Sequence, residues 1–295
     1  MKKEINISGL KLLFSINRIS NQNGKLIILN YHQVSNHFDP RYNNLGTWNK
    51  IDLFKKQLLW LKERYRVISL AKGIELANNN LIDDDYVCLT FDDGDKTILK
   101  IIDILTEFNL PATFFINSGH LDNKSACWFN IYQFIKNSPE FEHLISDELD
   151  INVGMLRNTN DKNFYDRYSN EVESLFPLLE SEFDSFVSYD DLANIDKRLF
   201  DVGSHGFNHQ RFSMKDKNWQ KQNIEKDIGV LSSLDSYKPI FGIPFGRPFD
   251  WNRDTIKIIL DLGLDFVYAN GGTNSERSMG YQRIPADNRK LKNII

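Results

Sequence analysis

The chain carries only two cysteines, Cys88 and Cys127, in 295 residues. They stand far apart, one in an apolar run and one beside Trp128, which excludes a disulfide framework and fits reduced, buried thiols. Strong net charge is also missing: 36 basic against 40 acidic residues leave a formal charge of −4. Without a dense Lys/Arg block, this balance gives no electrostatic footprint for nucleic acid. No apolar run approaches the ~20 residues that cross a bilayer. The opening stretch, "MKKEINISGLKLLFSINRIS", lacks a continuous apolar core and a small-residue cleavage site, so it does not read as a signal peptide. Work in the cytoplasm is the expectation that follows. Leu10, Leu13, Phe14 and Ile16 suggest one side of a short helix, so residues 1–24 are expected to dock as a helical segment, with peripheral membrane contact as the alternative. Fixed-period repeats, low-complexity stretches and clear linkers are absent too, and residues 25–295 read as one domain.

What is present is alternation. Short apolar runs at 25–32, 66–70, 86–91, 112–117, 199–205, 239–244 and 265–270 predict strands. Helical spacing fills 51–64, 71–79, 97–108, 217–234 and 253–262; Leu53, Phe54, Gln57, Leu58 and Leu61 mark one inward side of the first. Such alternation predicts a mainly parallel sheet, closed or nearly closed as a barrel, with seven strands where eight would complete the eight-fold form. The rhythm fails between about 120 and 198. Patterns such as "WFNIYQFIKN" there predict a helical insertion, expected to cap the mouth of the barrel.

Two clusters carry chemistry. "LTFDDGDKT" (89–97) ends an apolar run with adjacent carboxylates, Asp92 and Asp93. "DVGSHGFNH" (201–209) ends another with His205 and His209 four residues apart. Strand ends are where a parallel barrel collects its reactive groups. A carboxylate with two neutral imidazoles suits a divalent ion. Such an ion would also explain the juxtaposed aspartates, since one could coordinate while the other stays free to act as a base.

"TFDDG" (90–94) and "SHGFNH" (204–209), with "LPATFFINSG" (110–119) between them and "LNYHQVS" (29–35) ahead, resemble the motifs of polysaccharide deacetylases, carbohydrate esterase family 4 with its NodB homology domain. The resemblance spans about residues 25–287, thinly across the insertion and the last forty residues. It implies a distorted (β/α)7-type barrel that hydrolyses the N-acetyl group of an amino sugar in a glycan or glycan precursor. It also implies Asp92 as catalytic base and Asp93, His205 and His209 as ligands of one divalent metal ion, zinc first, with cobalt or nickel as alternatives. The expected partner is an N-acetylated sugar, oligosaccharide or glycolipid. Two other readings stand beside it: a deformylase or other amide hydrolase on a lipid-linked amino sugar, and a weakened carbohydrate-binding barrel.

The sequence departs from the family pattern in two places. In "FGIPFGRP" (241–248), Gly242 stands where many members carry an arginine that orients the base, and Phe245 stands at a tyrosine position. The Phe245 backbone N–H can still serve an oxyanion. Arg247 is a candidate to replace the arginine or to bind substrate, as Trp128 is for sugar stacking. The tail "YQRIPADN" (281–288) offers no late histidine. His32, at the end of the first strand, is therefore expected to protonate the leaving amine. His37, His120 and His143 have no partner spacing and read as structural.

Overall fold

The computed structural model describes residues 3–7, 10–14, 24–37, 39, 46–144, 147 and 162–295. Twelve strands are described. Seven of them, β3 (Leu26–Tyr31), β7 (Tyr86–Phe91), β8 (Ala112–Ile116), β9 (Phe200–Ser204), β10 (Tyr237–Gly242), β11 (Asp265–Ala269) and β12 (Tyr281–Pro285), pair in parallel and close into a ring. Closure comes from β3, which pairs with both β7 and β12. The ring has the expected number of strands but not the expected members. β6 is only Arg66–Val67, a short strand beside the start of β7, and the seventh member is β12, which contains Arg283 and Pro285 and lacks an apolar run.

Both faces of these strands are buried, so alternation sorts residues by neighbour and not by polarity. In β7, Val87, Leu89 and Phe91 join the outer core under the helices, while Cys88 belongs to a second cluster with Leu26, Ile28 and Phe115. The period of two carries that inner row through Thr90 to Asp92, which thereby points into the barrel mouth. Outside, Tyr31, Phe91, Phe114 and Phe200 on successive strands stack at 5.4–5.8 Å. Inside, Phe115 fills the centre. A side chain at Gly242 would meet its ring at 2.8 Å, and one at Gly203 would meet it at 2.6 Å, so only glycine fits at either position.

The barrel helices fall where periodicity places them: α1 (Ile51–Arg64), α2 (Leu70–Asn78), α3 (Thr97–Phe108), α8 (Lys217–Leu231) and α9 (Arg253–Asp261). α1 buries Phe54, Gln57, Leu58 and Leu61. The insertion contributes α4 (Trp128–Asn137), α5 (Lys162–Glu173), α6 (Phe176–Leu179) and α7 (Tyr189–Ala193). Ile131, Tyr132, Ile135, Val172, Leu175 and Leu179 give it an apolar core of its own. The helix expected over residues 1–24 is not found among the described residues of that segment. Lys3–Ile7 (β1) and Leu10–Phe14 (β2) pair as an antiparallel hairpin, because Leu10, Leu12 and Phe14 also satisfy a period of two. Residue 16 lies outside the described residues.

Candidate active site

All seven ring strands run the same way, so their C-terminal ends share one mouth, and the sequence-predicted residues meet there. Asp93 follows β7 in the left-handed region, with φ 76°, which turns its carboxylate away from the row that carries Asp92. Asp93 Oδ1 lies 3.5 Å from His205 Nε2 and 3.3 Å from His209 Nε2. One ligand atom from each of the three residues falls within 4.8 Å of the others. Asp93 Oδ1 and His205 Nε2 are buried and have no hydrogen-bond partner among the described residues. Burial of unsatisfied polar atoms is costly, so their convergence on a common point fits a cation.

The protonation states suit that purpose. His205 Nδ1 lies 2.6 Å from the Gly242 carbonyl oxygen, which can only accept. Nδ1–H therefore donates there, and that contact orients the ring so that Nε2 faces Asp93 and His209. Burial pushes His209 down to about 4, against the pull of Asp93, so its ring is neutral at physiological pH. Burial acts to raise Asp93, but His209 and His205 outweigh it and hold the carboxyl below its usual range. One carboxylate and two imidazoles make a three-ligand set, the number that catalytic sites use.

Asp92 has a different partner. Arg283, from β12, donates Nη1 to Asp92 Oδ1 at 2.6 Å and Nη2 to Oδ2 at 2.8 Å. The guanidinium also reaches Asn30 Oδ1 at 3.1 Å and lies 5.2 Å from the Phe115 ring centre. Burial favours the neutral acid, yet Arg283 overcomes it and keeps Asp92 ionised. Arg283 thus reaches Asp92 from β12, two strands from Gly242, where the Phe115 ring leaves no room for a side chain. Arg247 does not take this part: it is exposed, with its guanidinium 5.9 Å from the Phe249 ring centre.

His32 Nδ1 sits 2.6 Å from Asp287 Oδ2, and Asp287 Oδ1 accepts from the His32 N–H at 3.2 Å and from Asn49 Nδ2 at 3.0 Å. Burial acts to lower His32, but Asp287 lifts it to about 9. The side chain keeps 19% exposure, enough to face a substrate. Phe245 adopts φ 59°, a conformation uncommon for a bulky residue. No described acceptor takes its N–H. Its ring meets His209 edge-on at 4.5 Å, and Phe129 of the insertion meets His209 at 5.1 Å. Trp128 lies 6.5 Å from Phe245.

His120 is buried, pushed down to about 3 by burial, and bonded to Ser125 and Cys127. Sequence reasoning missed Arg283, Asp287 and Phe129. The first two stand in "YQRIPADN", with Arg283 inside β12 and Asp287 four residues on, just past its end; that pair of opposite charges around a strand end was the available signal.

A seven-stranded parallel barrel with an aspartate pair and two imidazoles at its mouth is of the deacetylase type of α/β barrel. The chain belongs to the polysaccharide deacetylase family, whose sequence profile matches residues 81–267. The Streptococcus pyogenes deacetylase PplD in complex with acetate is 18% identical, with a TM-score of 0.62 over 91% of this chain and 96% of that one. A de-N-acetylase from Aggregatibacter actinomycetemcomitans is 19% identical, with a TM-score of 0.58 over 92% and 100%. IcaB from Ammonifex degensii is 15% identical, with a TM-score of 0.57 over 90% and 93%. At these identities the likeness shows the fold. Comparison with curated proteins gives no significant match. No helix among the described residues is long and apolar enough to cross a membrane.

Proposed function

We propose that the protein is a metal-dependent carbohydrate N-deacetylase, hydrolysing the acetamide of an amino sugar in a glycan or glycan precursor. The observation that carries this is the pairing of opposites at one mouth: a carboxylate kept ionised by Arg283 and an imidazole kept protonated by Asp287. Amide hydrolysis needs both, a base for the attacking water and an acid for the leaving nitrogen.

Asp93, His205 and His209 would hold the divalent ion, zinc being the first choice for one carboxylate and two imidazoles. Bound there, the ion supplies Lewis acidity to the water and to the amide carbonyl. Asp92 takes the proton from the attacking water, and Arg283 fixes the carboxylate's orientation and charge. The Phe245 N–H donates to the carbonyl oxygen as negative charge gathers on it. His32 gives its proton to the amide nitrogen as the C–N bond breaks, which releases acetate and leaves a free amine. Asp287 stabilises the imidazolium before that transfer. Trp128 stands beside Phe245 as a stacking wall for the sugar.

The rival amide reading uses the same groups, so the leaving acyl decides between them. The weakened-barrel reading rested on the missing arginine, and Arg283 removes that motive. Acetate and formate release from N-acetylated and N-formylated amino-sugar oligomers, with and without chelator, tests the proposal. Chelator-sensitive acetate release supports it. Formate alone assigns a deformylase, and release of neither acyl group contradicts hydrolysis.

A further inference from the structure

We infer that Asp227, a buried carboxylate of α8 that the proposed chemistry does not use, is the positioning residue for the loop from His205 to His209, and so for two of the three candidate metal ligands. This rests on the metal reading of Asp93, His205 and His209, and its test is read on metal binding itself.

α8 differs from the other barrel helices in what it buries. Its inward residues are Gln220, Asn223, Ile224, Asp227 and Leu231, so polar groups fill much of the face that an amphipathic helix keeps apolar. Asn223 and Asp227 are four residues apart and stand on the same side. Asp227 is fully buried, and its hydrogen-bond partners are neutral donors. Burying a carboxylate is costly unless such donors meet its oxygens.

The donors all come from two strand ends at the mouth. Asp227 Oδ1 accepts the Ser118 N–H, just past β8, at 2.9 Å. Asp227 Oδ2 accepts the Gly206 N–H at 3.0 Å and the Ser204 hydroxyl. Ser204 and Gly206 flank His205, so one carboxylate grips the chain on both sides of a candidate ligand. Neighbouring amides extend that grip. Asn117 Nδ2 donates to the carbonyl oxygens of His205 and Gly206 at 2.7 and 2.8 Å, and Asn223 Oδ1 accepts the Phe207 N–H at 2.9 Å. A side chain at Gly206 would meet Asn223 Oδ1 at 2.9 Å, so the loop lies flush against α8.

The pattern of donors demands a carboxylate. Each oxygen faces a backbone N–H, and a backbone N–H cannot rotate away. An asparagine in either orientation would turn its NH2 toward Ser118 or Gly206 and leave one buried donor without an acceptor. The Gly242 carbonyl fixes how the His205 ring is turned, whereas Asp227 fixes the backbone from which that ring projects.

Zinc competition against a chromophoric chelator, together with the visible spectrum of the cobalt-loaded chain, tests this. Asp227→Asn should weaken zinc binding by about 10–100-fold, the usual cost of losing the outer support of a ligand, and should alter the cobalt bands. Ser204→Ala removes one of the three donors and should cost about threefold, the scale of one hydrogen bond. Leu231→Ala is the control. Leu231 packs in the outer core one turn further along α8, so its loss should lower thermal stability and leave zinc affinity and the cobalt spectrum native. Native affinity in both Asp227→Asn and Ser204→Ala overturns the proposal. So does an equal loss in Leu231→Ala, which would trace the effect to stability alone. If Asp227→Asn does not fold, Ser204→Ala decides by itself. A native chain that binds no zinc contradicts the metal reading and this inference with it, whereas native binding that neither variant disturbs contradicts this inference alone.

Discussion

Arg283 holds Asp92 through both guanidinium Nη atoms, at 2.6 and 2.8 Å, with 1% and 3% of the two side chains exposed. A bidentate pair so deeply buried fixes geometry as well as charge. It also makes each partner dependent on the other, since a lone charge left there is far costlier than the pair.

Arg283→Gln should therefore lower turnover by about 10² or more, the scale of losing an effective general base. The sign of the pH effect follows from the direction of the Asp92 shift. Arg283 holds that pKa down, so its removal moves the acidic limb of the rate profile to higher pH. Metal content should stay near one per chain, while stability falls by about 3–5 kcal/mol from the orphaned carboxylate. Arg283→Lys keeps the charge without the fork and should recover part of the rate. An unshifted acidic limb would separate Arg283 from the chemistry.

Asp287→Asn acts on the other limb. His32 works protonated, so activity falls as pH rises through its pKa, which Asp287 lifts to about 9. Without Asp287 that limb should move down toward the ordinary histidine value of about 6.5. The pair also contributes stability in full below about pH 6.5, lost as pH rises through about 9, so the variant should lose its stability margin chiefly below neutrality. Equal thermal stabilities at pH 6 and pH 9.5 in the native chain would contradict the ion pair.

Much of this site was legible in the sequence, and the reasons for the rest are physical. "TFDDG" and "SHGFNH" announce themselves because strand ends, paired carboxylates and His spacing are local features. Six of the seven barrel strands followed from the same alternation, while the seventh expected run, 66–70, forms only the short β6 outside the ring. β12 was hidden because its buried row includes Arg283, which an apolar-pattern reading rejects; only the closed ring shows that Asn30, Thr90 and Asp92 await it. The His32–Asp287 contact joins residues 255 apart and has no local signal. Insertion residue Phe129 was likewise invisible as a neighbour of His209, since nothing in "CWFN" says which face of the helix meets the barrel.

Phe129 gives a third expected outcome. His209 is held edge-on between Phe129 and Phe245, so Phe129→Ala should free the ring and weaken metal binding by about tenfold, as loss of outer support commonly does. A competition titration with a chromophoric chelator measures this directly. Unchanged affinity would mean that Phe129 serves packing alone.

His32→Ala should slow an N-acetylated amino sugar far more than an activated acetate ester. The ester's leaving group needs no proton, whereas an amine anion leaves only when protonated. Equal losses on the two substrates would remove His32 from the proton path.

The division of labour between adjacent aspartates is most directly tested by measuring bound zinc and acetate release together in Asp92→Asn and Asp93→Asn. Asp92→Asn should keep about one zinc per chain while turnover falls by about 10² or more. Asp93→Asn should lose zinc and activity together. Parallel loss of zinc in Asp92→Asn, or full zinc retention in Asp93→Asn, would contradict the assignment.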